Sequence, residues 1–144
     1  MTTFSERVER ISISGIREVF EAAGDDAINL GLGQPDFPTP AHARRAAVDA
    51  IESGKADAYT ENKGTLGLRE AIAEKHRADQ GVDLDPGNVI ATAGGSEALH
   101  VAMEAHVDAG DEVLIPDPGF VSYDALTKLA GGEPVPAPLR DDLT

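Results

Sequence analysis

Val89-Ile90-Ala91-Thr92-Ala93-Gly94-Gly95-Ser96-Glu97-Ala98-Leu99 is the stretch on which the reading of this chain turns, because an apolar run enters two glycines and emerges as a helix-forming sequence. The run predicts a buried strand over Asn88 to Ala93, and the residues beyond the glycines predict a helix over Ser96 to Ala109. Gly94 and Gly95 let the backbone turn tightly and leave room for a ligand to approach the main chain. Ser96 is placed to cap the helix, whose first N–H groups and positive dipole end favour an anion. Taken alone, paired glycines are equally well explained as turn chemistry. No G-x-x-x-x-G-K-[ST] occurs, and Gly31, Gly33 and Asp36 break G-x-G-x-x-G at its last position, so the common nucleotide loops are excluded.

Outward toward the carboxyl end, the punctuation continues as strand (Glu112 to Pro116), helix (Val121 to Leu129) and a last strand near Pro134 to Leu139. This alternation predicts an α/β fold with a parallel sheet and right-handed crossovers. Ligands in such sheets sit beyond the carboxyl ends of strands. Two of those ends are chemically distinctive: Gly94-Gly95-Ser96 and Pro116-Asp117-Pro118-Gly119-Phe120. The Phe120 ring either offers a plane to a flat, conjugated ligand or starts the following helix as core.

Toward the amino end, Ile16, Val19, Phe20 and Ala23 fall at helical spacing and stop at Gly24-Asp25-Asp26. A short extended segment, Ile28 to Gly33, runs into a proline-stiffened connector ending in Thr39-Pro40. There Thr39 is expected to cap a helix that runs to about Ser53, with Gly54 beyond it. A loop around Tyr59 leads to a further helix, closed by Gly81, that carries Leu68, Ile72 and Ala73 inward.

Composition bounds the function. The 144 residues are enough for one domain, but aromatics are 4% and Trp is absent, so the core is expected to be Ala, Val, Leu and Ile. There is no cysteine, which excludes disulfides, thiolate catalysis and cysteine metal sites. No basic leader and no run of membrane-spanning length occur, so a cytoplasmic protein without a membrane partner is expected. Twenty-six Asp and Glu against 12 Lys and Arg give a formal net charge of −14, a poor surface for nucleic acid. Such a surface, with eight Arg to four Lys, fits a halophilic protein whose self-repulsion is screened by salt, and also an ordinary acidic one.

The four lysines, Lys55, Lys63, Lys75 and Lys128, read as solvated surface. His100 and His106 fall on different helix faces, and His42 and His76 have no partner at ligand spacing. No metal is expected.

Five blocks occur in one order. They are Asn29-Leu30-Gly31-Leu32-Gly33-Gln34-Pro35-Asp36-Phe37-Pro38-Thr39-Pro40; Tyr59-Thr60 with Gly64, Gly67, Leu68 and Arg69; Gly94-Gly95-Ser96-Glu97-Ala98; Gly110-Asp111-Glu112-Val113; and Pro116-Asp117-Pro118-Gly119-Phe120 with Tyr123. Together they resemble the aspartate aminotransferase family, the class I/II pyridoxal-phosphate (PLP) enzymes of fold type I, along essentially the whole chain. The resemblance implies that Gly95 and Ser96, with the Glu97 amide, cup the cofactor phosphate. It implies that Phe120 stacks on the pyridine ring, and that Tyr59 reaches the phosphate of the neighbouring subunit in a homodimer. Gly33 matches a backbone position beside the substrate carboxylate, and Tyr123 a frequent family tyrosine.

By the same resemblance, residues 1–40 are an amino-terminal arm with a small-domain segment, and residues 41–144 the first part of the PLP-binding large domain. The family's Schiff-base lysine lies further along than Thr144, so no catalytic residue is assigned among these residues, and the 144-residue chain alone is expected to be inactive. The expected activity of the whole is transfer of an amino group between an amino acid and a 2-oxo acid. Three readings follow: part of such an enzyme, a free-standing phosphate- or PLP-binding module, and a non-catalytic remnant that associates with a full-length relative.

Overall fold

The helices Leu66–Gln80 and Ser122–Ala130 form where apolar periodicity runs up to a left-handed glycine, Gly81 and Gly131. The computed structural model describes residues 3–12, 15–22, 24, 28, 30, 33–140 and 142, with only the backbone for Arg17, Phe20 and Glu21. Contacts divide the chain into two compact units, one comprising Gly33–Thr92 and the other Met1–Leu32 with Ala93–Thr144.

The first unit contains α3 (Ala41–Glu52), α4 (Leu66–Gln80) and a 3-10 turn (Pro86–Asn88). Pro40 is still extended (φ −50°, ψ 139°) and stands as the N-cap of α3, while no side chain caps that end, so Thr39 does not play the capping role expected of it. α4 ends at Gly81 in the left-handed conformation, as the sequence predicts. Its inward face is corrected in two places. Leu68 is exposed and the charged Arg69 is buried, while Ala73 is buried as expected and Ile72 is half-buried. Along α4, Arg77 pairs with Asp83 at 2.7 Å and with Glu74 at 2.8 Å. The Asp83 hydrogen bond first, and then the charges of Asp83 and Glu74, raise the guanidinium pKa above its ordinary value.

The predicted strand over Asn88 to Ala93 is not formed. Asn88 closes the 3-10 turn, in which the Asp85 carboxylate accepts from Gly87 N–H at 2.7 Å. Beyond it Val89 is extended and buried, and Ala91 N–H donates to Lys63 O of the preceding loop at 2.9 Å. A strand is a property of a pair, and this segment is bonded to a loop.

The second unit contains α1 (Glu6–Glu9), α2 (Gly15–Ala22), α5 (Gly95–His106), β1 (Glu112–Asp117), α6 (Ser122–Ala130) and β2 (Glu133–Pro138). The strands pair in parallel, Glu112 opposite Glu133 through to Asp117 opposite Pro138, joined by α6 as the crossover. The α/β expectation is met here. α6 packs against α1, α5 and both strands, and Thr127 at its centre is 0% exposed, its hydroxyl donating to Tyr123 O at 2.8 Å. At the amino end, Arg7 donates to Leu129 O at 3.1 Å and Arg10 pairs with Glu133 at 2.7 Å, tying α1 to the end of α6 and the start of β2. Burial alternates along β1, with Val113 and Ile115 half-buried and Leu114 74% exposed. Parallel sheets ordinarily have both faces covered, so Leu114 marks a face that the described residues leave open.

Ile16 and Val19 of α2 are exposed. The expected inward positions Phe20 and Ala23 lie outside the described side chains, and of the expected extended segment Ile28 to Gly33 only Ile28, Leu30 and Gly33 are described, all exposed.

Candidate functional site

The glycine turn and the Phe120 loop come to one edge of the second unit, and the packing at the opposite edge shows why. Gly110 N–H donates to Gly131 O at 3.1 Å, and Glu133 N–H donates to Asp111 O at 2.8 Å, so the carboxyl end of α6 meets the amino ends of both strands. Val107, which follows α5, lies at the same place: a Cβ on Gly132 would be 2.7 Å from Val107 Cγ1. α5 and α6 therefore end together, and because they pack on one another their amino ends point to the strands' carboxyl ends.

Gly94 is the N-cap of α5, with φ 100° and ψ 174°, a conformation open to glycine and strained for any other residue. Ser96 consequently sits inside the first turn and is exposed, so it is not the cap that the sequence predicts. Glu97 is the third helical residue, and its carboxylate accepts from Ala93 N–H. This is the backward reach of a capping box, moved one residue upstream. Ala98 N–H is the first to bond within the helix, to Gly94 O at 3.3 Å, so helix geometry leaves Gly95, Ser96 and Glu97 N–H without intrahelical acceptors. A Cβ on Gly95 would meet no atom within 4 Å. The result is a bare, positively polarised backbone edge that an anion can approach.

At the other loop, the chain folds back after Pro116 so closely that a side chain on Gly119 would strike the Pro116 carbonyl. That turn presents Phe120, half of whose surface is open. Tyr123 meets its ring edge-on, with centroids 5.6 Å apart and planes at 84°. The Phe120 ring is thus braced from one side and open on another.

Tyr59 and Gly33 belong to the other unit. Tyr59 is fully exposed, and nothing lies within 4 Å of a Cβ on Gly33. Of the lysines, Lys75 pairs with Asp79 and Lys128 with Asp124, each at 2.6 Å, Lys63 donates to Gly87 O at 2.9 Å, and Lys55 is exposed. Lys128 is half-buried and not surface as expected, because α6 lies at the centre of its unit. Among the described residues, no three His, Asp or Glu side chains gather as a metal-ligand set, and no helix is long and apolar enough to cross a membrane.

Two features escaped the sequence reading. The Glu97 carboxylate carried a signal in Gly94-x-x-Glu97, the spacing of a capping box. The burial of Arg69 carried none, because two of its three partners are backbone carbonyls, whose direction no residue type announces.

Comparison with known proteins matches the family model for aminotransferase class I and II to residues 25–144. The chain belongs to that family. A probable aspartate aminotransferase from Methanocaldococcus jannaschii is 48% identical over 129 residues, covering 90% of this chain and 34% of the relative. An aspartate aminotransferase from Pyrococcus horikoshii is 46% identical over 140 residues, covering 96% of this chain and 36% of the relative. Among solved structures, the alanine aminotransferase from Pyrococcus furiosus superposes with a TM-score of 0.87 at 34% identity, over 97% of this chain and 37% of that one. The family member described here thus spans about a third of the length of the curated relatives it matches, and its α/β fold is a part of theirs.

Proposed function

We propose that this chain contributes the phosphate-holding part of a PLP-dependent aminotransferase acting on an amino acid and a 2-oxo acid. The observation that carries the reading is the open amino end of α5 on the same edge of the unit as the braced Phe120 ring. The residues fit a flat, phosphorylated cofactor. Gly95, Ser96 and Glu97 turn three N–H groups toward a dianion, the Ser96 hydroxyl adds a donor, and the space over Gly95 is clear. Phe120 supplies an apolar face for the ring and excludes water from it. When bound, the cofactor serves as the electron sink for amino-group transfer. Glu97, turned back onto Ala93 N–H, directs its charge at the backbone entering the helix.

Tyr59, fully exposed on its own unit, fits a residue that hydrogen-bonds the phosphate of a second subunit, and this supports a homodimer. Gly33 is the proposed backbone neighbour of the substrate carboxylate. Residues 1–40 would be the arm with a small-domain segment, and 41–144 the start of the cofactor domain. The relatives are named for aspartate and for alanine, so likeness in this stretch does not sort the substrate side chain. The acidic surface supports a protein of high intracellular salt, and with it a cytoplasmic one.

Gly95→Ala tests the reading in the protein as its gene encodes it. The added methyl meets no protein atom, so the melting temperature should hold, while PLP affinity in a fluorescence titration falls at least tenfold and inorganic phosphate competes in the parent. Equal affinity for variant and parent would overturn the assignment.

A further inference from the structure

Arg69 is the buried charge that the proposed site does not use directly. It lies in the first turns of α4, 6% exposed, and all three of its nitrogens are engaged. Nε donates to Gly64 O at 3.1 Å, one terminal nitrogen to Pro86 O at 3.0 Å, and the other to Glu61 Oε2 at 2.7 Å. Two of those partners belong to the loop that begins at Tyr59, and the third to the 3-10 turn behind it. The loop is also held without Arg69. Gly64 N–H donates to Glu61 O at 2.9 Å, Ala91 N–H to Lys63 O at 2.9 Å, and a Cβ on Gly64 would lie 2.8 Å from Ala91 Cβ. These contacts fix the loop's downstream end. Among the described residues, it is Arg69 that reaches the side chain of Glu61, two residues from Tyr59.

Removing a charge from water is costly unless it is fully bonded, and a planar guanidinium matched to two carbonyls and a carboxylate meets that condition with fixed geometry. A lysine carries the same charge without the planar fork, so it cannot bond all three partners in this arrangement. We propose that Arg69 is a positioning residue, which sets the Glu61–Gly64 loop so that Tyr59 is presented outward in one orientation to the cofactor phosphate. The inference rests on the reading of Tyr59 as a phosphate ligand. Arg69 itself acts only through the loop.

The test is a double-mutant cycle on PLP affinity, measured by fluorescence titration of the protein as its gene encodes it, with hydrogen exchange of residues 59–65 followed in parallel. Tyr59→Phe is expected to lower affinity about tenfold or more. Arg69→Lys should lower it by a similar factor and speed exchange in the loop, yet cost no further affinity when Tyr59 is already Phe. Glu61→Gln keeps both carbonyl bonds and serves should Arg69→Lys fold poorly. It should cost a few-fold, and only in the presence of Tyr59. An Arg69→Lys or Glu61→Gln loss of equal size in both backgrounds overturns the positioning role and leaves the phosphate reading of Tyr59 standing. A Tyr59→Phe variant with full affinity overturns that reading, and the inference with it.

Discussion

Gly132 and Val107 touch so closely that a methyl on the glycine would lie 2.7 Å from Val107 Cγ1, with Asp111 O at 3.0 Å and Thr127 Cγ2 at 3.2 Å. This is where the ends of α5 and α6 meet the strands, so it fixes how the two helix amino ends stand at the far edge. Thr127 is fully buried and the Asp111 carbonyl accepts from Glu133 N–H, so neither neighbour has room to yield. Gly132→Ala should therefore destabilise by about 1–3 kcal/mol, the usual cost of overpacking. A denaturant titration checks it. A shift below about 0.5 kcal/mol, within the range of ordinary surface substitutions, would refute the packing argument.

The lysines yield a second expectation. Lys75 and Lys128 are each hydrogen-bonded to a carboxylate at 2.6 Å, and that contact must be broken before the amine can reach an aldehyde carbon. Residues 1–144 alone, mixed with PLP at modest excess and reduced with borohydride, should show no site-selective label at Lys55, Lys63, Lys75 or Lys128 by mass spectrometry. Stoichiometric labelling of one of them would overturn the expectation.

Charge gives a third. Twenty-six carboxylates face 12 cationic side chains, so the repulsion that salt relieves exceeds the attraction it weakens in pairs such as Arg10–Glu133. Exposed pairs contribute about 0–1 kcal/mol each, and the screening length falls from about 10 Å at 0.1 M to about 3 Å at 1 M. The melting temperature should rise between 0.1 M and 2 M KCl. A fall would show that the ion pairs outweigh the net charge.

The parts of the fold legible in the sequence were those written locally. α6 and the Gly81 stop of α4 lie within a residue or two of expectation, because periodicity and a left-handed glycine are short-range signals. β1 and β2 were legible too, the second despite its prolines. The strand expected over Asn88 to Ala93 failed because pairing is a long-range event, and α1 was missed because four residues around Val8 carry no periodicity. At the site, glycines and an aromatic announced themselves by type. The roles of Glu97 and Arg69 depended on where a flexible charged side chain turned, toward Ala93 N–H in one case and toward two carbonyls and the Glu61 carboxylate in the other.

The prolines of β2 give the last prediction. Glu133 N–H donates to Asp111 O and Leu139 N–H to Asp117 O, so the odd-numbered residues of β2 face β1. Backbone direction alternates along a strand, so Pro134, Pro136 and Pro138 all turn their nitrogens to the outer edge. None of the three has an N–H, and that edge offers no donor for an added strand at those positions. Edge strands are protected from association by such devices. Replacing all three by Thr restores three outward donors without touching the β1 ladder. The triple variant should aggregate faster than the parent in light-scattering runs at equal protein concentration. Each lost proline also loosens the unfolded chain by about 0.4–1 kcal/mol, so Pro38→Thr, in an exposed connector, serves as a control for one such loss, and runs are compared at equal distance below each variant's melting temperature. A triple variant as soluble as the control would show that the outer edge of β2 needs no protection.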